Sequence, residues 1–147
     1  RRMQGGWALQ GSSGKPNLKD LKYRDLRTLI RIPDSVKQID RSLSWKSVSG
    51  SELYMNGSAL KENKPGEWLI PSDKLKSGEL NLLVIRLKKG DPFESMPNIR
   101  SSQNSVVLND KHWQEKFSNE ESIDVNFPIP PQFGAPTDLI QEWTLRN

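Results

Sequence analysis

Apolar positions along this chain recur mostly with a period of two, the spacing of a strand that turns alternate side chains to opposite faces. Leu26, Thr28, Ile30 and Ile32 alternate with Arg27, Leu29 and Arg31, and Pro33-Asp34 closes the run because proline has no N–H for a ladder. A second alternation sets Lys37, Ile39, Arg41, Leu43 and Trp45 against Val36, Gln38, Asp40, Ser42 and Ser44, which puts Lys37 and Arg41 toward the ends or an edge of that strand. Ser49-Gly50 turns the chain into Leu53-Tyr54-Met55. Asn56-Gly57 follows, the dipeptide best suited to the two positive φ angles of a type I′ hairpin turn. A strand over Glu67 to Ile70 ends at Pro71, and Ser72 to Gly78 reads as one helical turn or bend. Asn81 to Leu87 is the most apolar stretch, with Leu83, Ile85 and Leu87 on one side and Leu82 and Val84 on the other, so it is expected to lie centrally and be buried on both faces. Residues 88–104 read as a long polar loop, Val106 to Leu108 as a short strand and Lys111 to Phe117 as the last one. Helical spacing is confined to Leu18 to Leu26 and Asp138 to Trp143. The pattern predicts an all-β domain.

Composition changes this picture in a few places. At 147 residues the chain has the size of one domain and can bury about two thirds of its unfolded surface. The longest aliphatic block, Leu82-Leu83-Val84-Ile85, stops at Arg86, far short of the roughly 18 residues of a membrane span. The absence of cysteine excludes disulfides and thiolate zinc sites and leaves the redox compartment open. The first residue is Arg1 with no signal-peptide pattern behind it, which reads as a segment of a longer protein. Residues 127–136, Phe-Pro-Ile-Pro-Pro-Gln-Phe-Gly-Ala-Pro, are proline-rich and predict an extended tail lying on the domain or a linker. The expected boundaries are a sandwich over 1–118 and this extension over 119–147.

The net charge of +4 is a gradient. Residues 1–50 hold eleven basic and four acidic side chains, residues 51–100 eight and seven, and residues 101–147 three and seven. A basic first third invites a nucleic-acid reading. The spacing opposes it, because Lys15, Lys19, Lys22, Arg24, Arg27, Arg31, Lys37 and Arg41 stand singly among apolar residues with Asp20, Asp25, Asp34 and Asp40 between them, the pattern expected of a solvated strand face. Neither nucleic acid nor membrane is expected as a partner.

Candidate chemistry is sparse. His112 is the only histidine, so a zinc site would need carboxylates almost alone, and no Gly-x-Ser-x-Gly elbow activates a serine. The glycine-rich loop over 11–16 lacks the spacing of a phosphate cradle. Glu120-Glu121 with Asp124 has the chemistry of a cation site or of a glycosidase acid/base pair, against the ordinary alternative of a solvated loop. No metal or cofactor is expected. Five tryptophans are the most informative feature. Trp45 and Trp68 alternate in phase with apolar neighbours and read as core. Trp7, Trp113 and Trp143 lie near segment ends, where stacking on a sugar ring competes with burial. The candidate carbohydrate contacts are Trp7, Tyr23, Arg24, His112 and Trp113.

The stretch from Ser42 to Leu87 also carries a family resemblance. It runs Leu43-Ser44-Trp45-Lys46-Ser47-Val48, Glu52-Leu53-Tyr54-Met55-Asn56-Gly57, Gly66-Glu67-Trp68-Leu69-Ile70-Pro71, then Leu75-Lys76-Ser77-Gly78-Glu79-Leu80-Asn81 into the apolar strand ending at Leu87. This resembles the galactose-binding-like jelly roll attached to β-galactosidase and β-glucuronidase relatives and to sialate O-acetylesterases. Val106 to Gln114 is similar to the strand that follows in the esterase version. The resemblance covers about 70 of the 147 residues. Its pattern has Gly-x-Asn before the last strand, whereas Gly78-Glu79-Leu80-Asn81 has one residue more, which predicts a bulge or slipped register. The resemblance implies a jelly-roll β-sandwich with a Pro-rich C-terminal extension. It further implies a non-catalytic, carbohydrate-binding-like or structural accessory domain of a larger, secreted carbohydrate-active hydrolase. The neighbouring catalytic domain would be its partner, with a glycan as a second one. It brings no catalytic residue. The competing expectation is a fragment that lends residues to the active site of a glycosidase or carbohydrate esterase.

Overall fold

The computed structural model describes residues 7–9, 21–32, 39–46, 50–76, 78–88, 90–101, 105–108, 113–126 and 137–138. These residues form strands β1 (Ala8–Leu9), β2 (Tyr23–Arg31), β3 (Arg41–Ser44), β4 (Glu52–Met55), β5 (Ser58–Ala59) and β6 (Lys61–Lys64). β7 (Glu67–Ile70), β8 (Leu80–Lys88), β9 (Asn98–Arg100), β10 (Ser105–Val107), β11 (Gln114–Ser118) and β12 (Thr137–Asp138) follow. The architecture is all-β, with no α-helix among the described residues.

Two sheets form. The first has the order β1-β11-β2-β8-β4-β5, and the second β10-β9-β3-β7-β6. Neighbours are antiparallel except β12, which runs parallel to β2 at Ile30 and Arg31. β8 occupies one edge of β2 along all nine residues, while β11 occupies Tyr23 to Arg27 of the other edge and β12 continues it. The chain changes sheet after β2, β3, β5, β7, β8 and β10, so most pairing joins strands distant in sequence.

The two sheets share one core. Leu26 and Ile30 of β2, Leu83, Ile85 and Leu87 of β8, and Leu53 and Met55 of β4 are buried with Leu43 of β3, Trp68 and Ile70 of β7, Ile99 of β9 and Val106 of β10. A row of rings closes one end: Trp45 lies 6.3 Å from Trp68 and 5.8 Å from Phe93, and Phe93 meets Trp113 edge-on at 4.8 Å. Trp45 and Trp68 are core residues, as their phase in the alternation indicates. β8 is buried on both faces, with Leu82 and Val84 joining Leu29 in a second apolar cluster behind the sheet.

The turns follow local chemistry. Asn56 and Gly57 take φ of 51° and 86° and join β4 to β5, the predicted hairpin. Ser72–Lys74 is a single 3-10 turn. Within β8 the register is unbroken, Leu80 pairing with Arg31 and Asn81 with Ile30, and the expected bulge falls just before it, where Ile32 faces two residues, donating to the Glu79 carbonyl at 3.3 Å and accepting from the Gly78 N–H. The additional residue is absorbed before the strand, where Gly78 at φ 72° donates its N–H to the Ile32 carbonyl at 2.6 Å. A second irregularity lies between Glu62 and Lys64 of β6.

Two expectations are corrected. The helical spacing over Leu18 to Leu26 gives way to strand from Tyr23 onward, because nine cross-strand pairs with β8 outweigh a weak local preference. At the second predicted helix Asp138 is in β12, and residues 139–143 lie outside the described residues. The expected loop 88–104 contains β9, and Phe93 and Ile99 from it enter the core. Its apolar residues come singly among polar ones, too sparse for a period of two. The Pro-rich run 127–136 and the glycine-rich loop 11–16 also lie outside the described residues.

The register assigns each side chain to a dry or a wet face, and stability measurements test it. Ile85→Ala should cost about 2–5 kcal/mol. Leu69→Ala, on the outer face of β7 at 43% exposure, should stay within about 0.5 kcal/mol. Urea unfolding of the two variants reads both values.

Candidate functional site

The chemically dense part of the molecule is the face of the first sheet that points away from the core. Register places Lys116 of β11 opposite Asp25 of β2, Asp25 opposite Arg86 of β8, and Arg86 opposite Glu52 of β4. Charges of alternating sign therefore line up across four strands, each neighbour attractive. The next row runs Gln114, Arg27, Val84, Tyr54. This is not the solvated strand face that the scattered charges suggested: Asp25 is 1% exposed, Arg27 3% and Arg86 4%.

Each buried cation is held by several groups. Arg86 forms a two-pronged pair with Asp25, Nε to Oδ1 at 2.8 Å and Nη2 to Oδ2 at 2.9 Å. The Tyr23 ring lies 4.0 Å from its Cζ, placed there as the diagonal cross-strand neighbour. Burial works against the Arg86 charge, but the Asp25 hydrogen bonds and charge outweigh it and hold the guanidinium above its usual range. Arg27 donates from Nε to Gln114 Oε1 at 2.7 Å and lies 4.1 Å from the Trp7 ring centre. Burial lowers its pKa to about 10, opposed by the Asp124 charge. It remains a cation at neutral pH.

A return segment, residues 119–126, lies over this face after β11 ends at Ser118. Arg86 Nη1 donates to the Glu121 carbonyl at 2.8 Å and Arg27 Nη1 to the Asn126 carbonyl at 2.9 Å, so both guanidiniums grip its backbone. Two of its three acids are bonded as well, while Glu120 is exposed. Glu121 accepts from the Tyr23 hydroxyl at 2.7 Å and pairs with Lys22 at 3.5 Å. Asp124 accepts from Trp7 Nε1 at 2.9 Å and from the Asn126 backbone N–H at 3.0 Å, and lies 3.7 Å from Lys116 Nζ. Ile123 packs on the second apolar cluster with Tyr54 and Leu80.

These contacts set the titration of the acids. The Tyr23 hydrogen bond, then the Lys22 charge, hold Glu121 below its ordinary range, and the same bond raises the Tyr23 phenol. Burial pushes Asp124 up, but the Trp7 and Asn126 hydrogen bonds and the Lys116 and Arg27 charges bring it below its ordinary value. Burial, and then the hydrogen bond to Glu52, push Tyr54 up to about 12. At neutral pH both acids are anions and both phenols are neutral.

The sequence-derived candidates are dispersed over this framework. Trp7 is fully buried on the outer face under Arg27, and Tyr23 is half-buried beside it on Arg86. Arg24, one residue on, turns to the opposite face and pairs with Glu115 at 3.2 Å. Trp113 is 1% exposed and packs in the core on Phe93. Trp7 and Trp113 thus lie on opposite sides of the sheet and do not converge. His112 lies outside the described residues. Among the described residues no group of three or more His, Asp or Glu side chains is arranged to hold a metal ion. The residues that sequence reasoning missed are Asp25, Arg27, Arg86 and Gln114. Their signal was present in the buried strand Asn81 to Leu87, whose single charge, Arg86, needs a partner on the neighbouring strand.

No family model, no curated protein and no solved structure matches this chain.

Two outcomes follow from this geometry. Arg86→Met should cost about 3–5 kcal/mol by leaving Asp25 buried and unpaired, and adding Asp25→Leu should restore most of it. Chemical denaturation of the single and double variants provides the check. Because Glu121 and Asp124 have lowered native pKa values, their contribution is complete above the ordinary carboxylate value of about 4 and is lost as pH falls through the native values. The melting temperature should therefore drop on acidification below about pH 4, and drop less in the Glu121→Gln/Asp124→Asn variant.

Proposed function

We propose that this chain is a non-catalytic accessory β-sandwich domain, of the galactose-binding-like jelly-roll kind, acting as a structural module beside a catalytic domain of a larger carbohydrate-active hydrolase. One observation carries the non-catalytic part. Of the three acids Glu120, Glu121 and Asp124, two are held as anions, Glu121 by Tyr23 and Lys22 and Asp124 by Trp7 and Lys116, with hydrogen bonds already on both Asp124 oxygens. A general acid needs a raised pKa and a free path to the leaving group. Neither carboxylate has a raised pKa, and both oxygens of Asp124 already accept hydrogen bonds. They clamp the return segment to the sheet.

The jelly-roll part of the reading rests on the repeated crossing between sheets and on the Asn-Gly hairpin, the turn at Gly78 and the doubly buried β8. The resemblance over Ser42 to Leu87 supplies the carbohydrate setting. A structural role is favoured over sugar binding because Trp7 and Trp113, the rings best suited to stack on a sugar, are buried against protein groups. Secretion of the parent protein and a glycan partner follow from the resemblance alone.

Titration calorimetry of the chain against galactosides, glucuronides and sialosides should give no binding or only weak binding, with Kd above the micromolar range. Micromolar or tighter binding that is lost in Trp7→Ala or Trp113→Ala would replace the structural role with a sugar-binding one. Glycoside or ester hydrolysis by the isolated chain, abolished by Asp124→Asn, would overturn the non-catalytic reading.

A further inference from the structure

The turn between β4 and β5 holds the one Asn-Gly pair in the chain. An asparagine before glycine can cyclise, because the glycine has no side chain to shield its backbone nitrogen. That nitrogen attacks the side-chain amide carbon, the carbon–nitrogen bond to the amide breaks, and ammonia leaves. Water then opens the five-membered succinimide at either carbonyl, giving aspartate or the isoaspartate in which the backbone runs through the former side chain. No catalyst or oxidant is required. The reaction needs only that the side chain rotate onto the Gly57 nitrogen.

Here the fold prevents that rotation. The Asn56 side chain is turned away onto β8 and the segment before it. Its Oδ1 accepts from the Leu82 N–H at 2.9 Å, and its Nδ2 donates to the Lys74 carbonyl at 2.9 Å and to Asn81 Oδ1 at 2.7 Å. The Asn56 backbone N–H is bonded to the Leu82 carbonyl at 2.8 Å. Asn81, with no exposed surface, is fixed in turn by donating to the carbonyls of Lys76 at 3.1 Å and Glu79 at 3.2 Å and accepting from the Lys76 N–H at 2.7 Å. These contacts occupy both polar atoms of the Asn56 amide.

We propose that Asn56-Gly57 is a latent self-modification site, with water as its only co-reactant, whose reactivity is released when the β4–β5 hairpin detaches from β8. The product cannot return to the native arrangement. Aspartate at position 56 would set a carboxylate oxygen against the Lys74 carbonyl and Asn81 Oδ1, where the amide nitrogen now donates twice. Asn81 cannot flip to compensate without losing its own bonds to Lys76 and Glu79. The isoaspartate would add a backbone atom to a turn whose ends are fixed by pairing of Met55 with Ser58. Each cyclisation in the open state is thus recorded as an irreversible weakening of the same hairpin.

The test follows the whole chain by peptide mapping and mass spectrometry in mildly alkaline buffer, with and without urea. The peptide containing residue 56 should gain the mass of an amide-to-acid change roughly ten-fold or more faster in denaturing urea than in native buffer. At sub-denaturing urea the rate should rise exponentially with concentration, as for any reaction gated by opening. Equal rates in native and denaturing buffer would overturn the protection. Absence of the product in denaturing urea would overturn the site itself. Asn56→Asp, made directly, should melt at a lower temperature than the wild-type chain. A variant equally stable would remove the irreversible consequence.

Discussion

The ion pair between Asp25 and Arg86 is the constraint on which the first sheet is organised. Both side chains are almost completely buried, on the two central strands of that sheet, and an unpaired charge at that depth would cost several kcal/mol. The pair is therefore flanked on every side by groups that keep it satisfied. Lys116 and Glu52 extend the alternation of sign to the neighbouring strands, and Tyr23 covers the guanidinium. The remaining guanidinium nitrogen of Arg86, Nη1, reaches the backbone of the return segment. Excluding water from this row requires a cover, and residues 119–126 provide it.

That cover explains the asymmetry of the molecule. The second sheet has one dry and one wet face, and its outer positions are mostly short or charged, as at Ser42, Ser44, Lys61, Lys64 and Arg100, with Leu69 and Val107 as exposed apolar exceptions. The first sheet is buried on both faces over β2 and β8, so its outer face needs polar partners that an ordinary sandwich would leave to water. The ionisable groups that look like chemistry in one dimension are consumed in three. Asp124 and Glu121 lie where a catalytic pair could have been sought, but each closes a contact between the return segment and the sheet. The same economy of donors reappears at Asn56 and Asn81, where two amides knit the β4–β5 hairpin to the start of β8.

Much of the core was legible. The alternation around Leu43 and Trp45, the strand Glu67–Ile70, the Asn-Gly turn and the two apolar faces of β8 all follow from side-chain period and turn chemistry. What escaped was specified by distant partners. β6, Lys-Glu-Asn-Lys, has no apolar face to announce it, and its charges suit an exposed edge. β9 rests on Ile99 inserting between β3 and β10, a contact no local window contains. Tyr23 to Leu26 had helical spacing and became strand because β8 lies alongside. The candidate site was less legible still. Arg27 and Asp25 read as solvated charges, since nothing near them in sequence reveals that a segment ninety residues later lies over them.

Glu121 and Asp124 act as structural clamps on the first sheet, and a double-mutant cycle between Trp7→Phe and Asp124→Ala measures the clamp at Asp124. Phenylalanine keeps an aromatic ring beneath Arg27 and removes the N–H that Asp124 accepts together with the second ring of the indole, a packing loss that the cycle subtracts. Unfolding free energies of the four proteins should show a coupling on the order of 1 kcal/mol or more, the value of a hydrogen bond to a charged acceptor. Additive effects, with no coupling between the two positions, would contradict the clamp and return Asp124 to the set of groups available for chemistry.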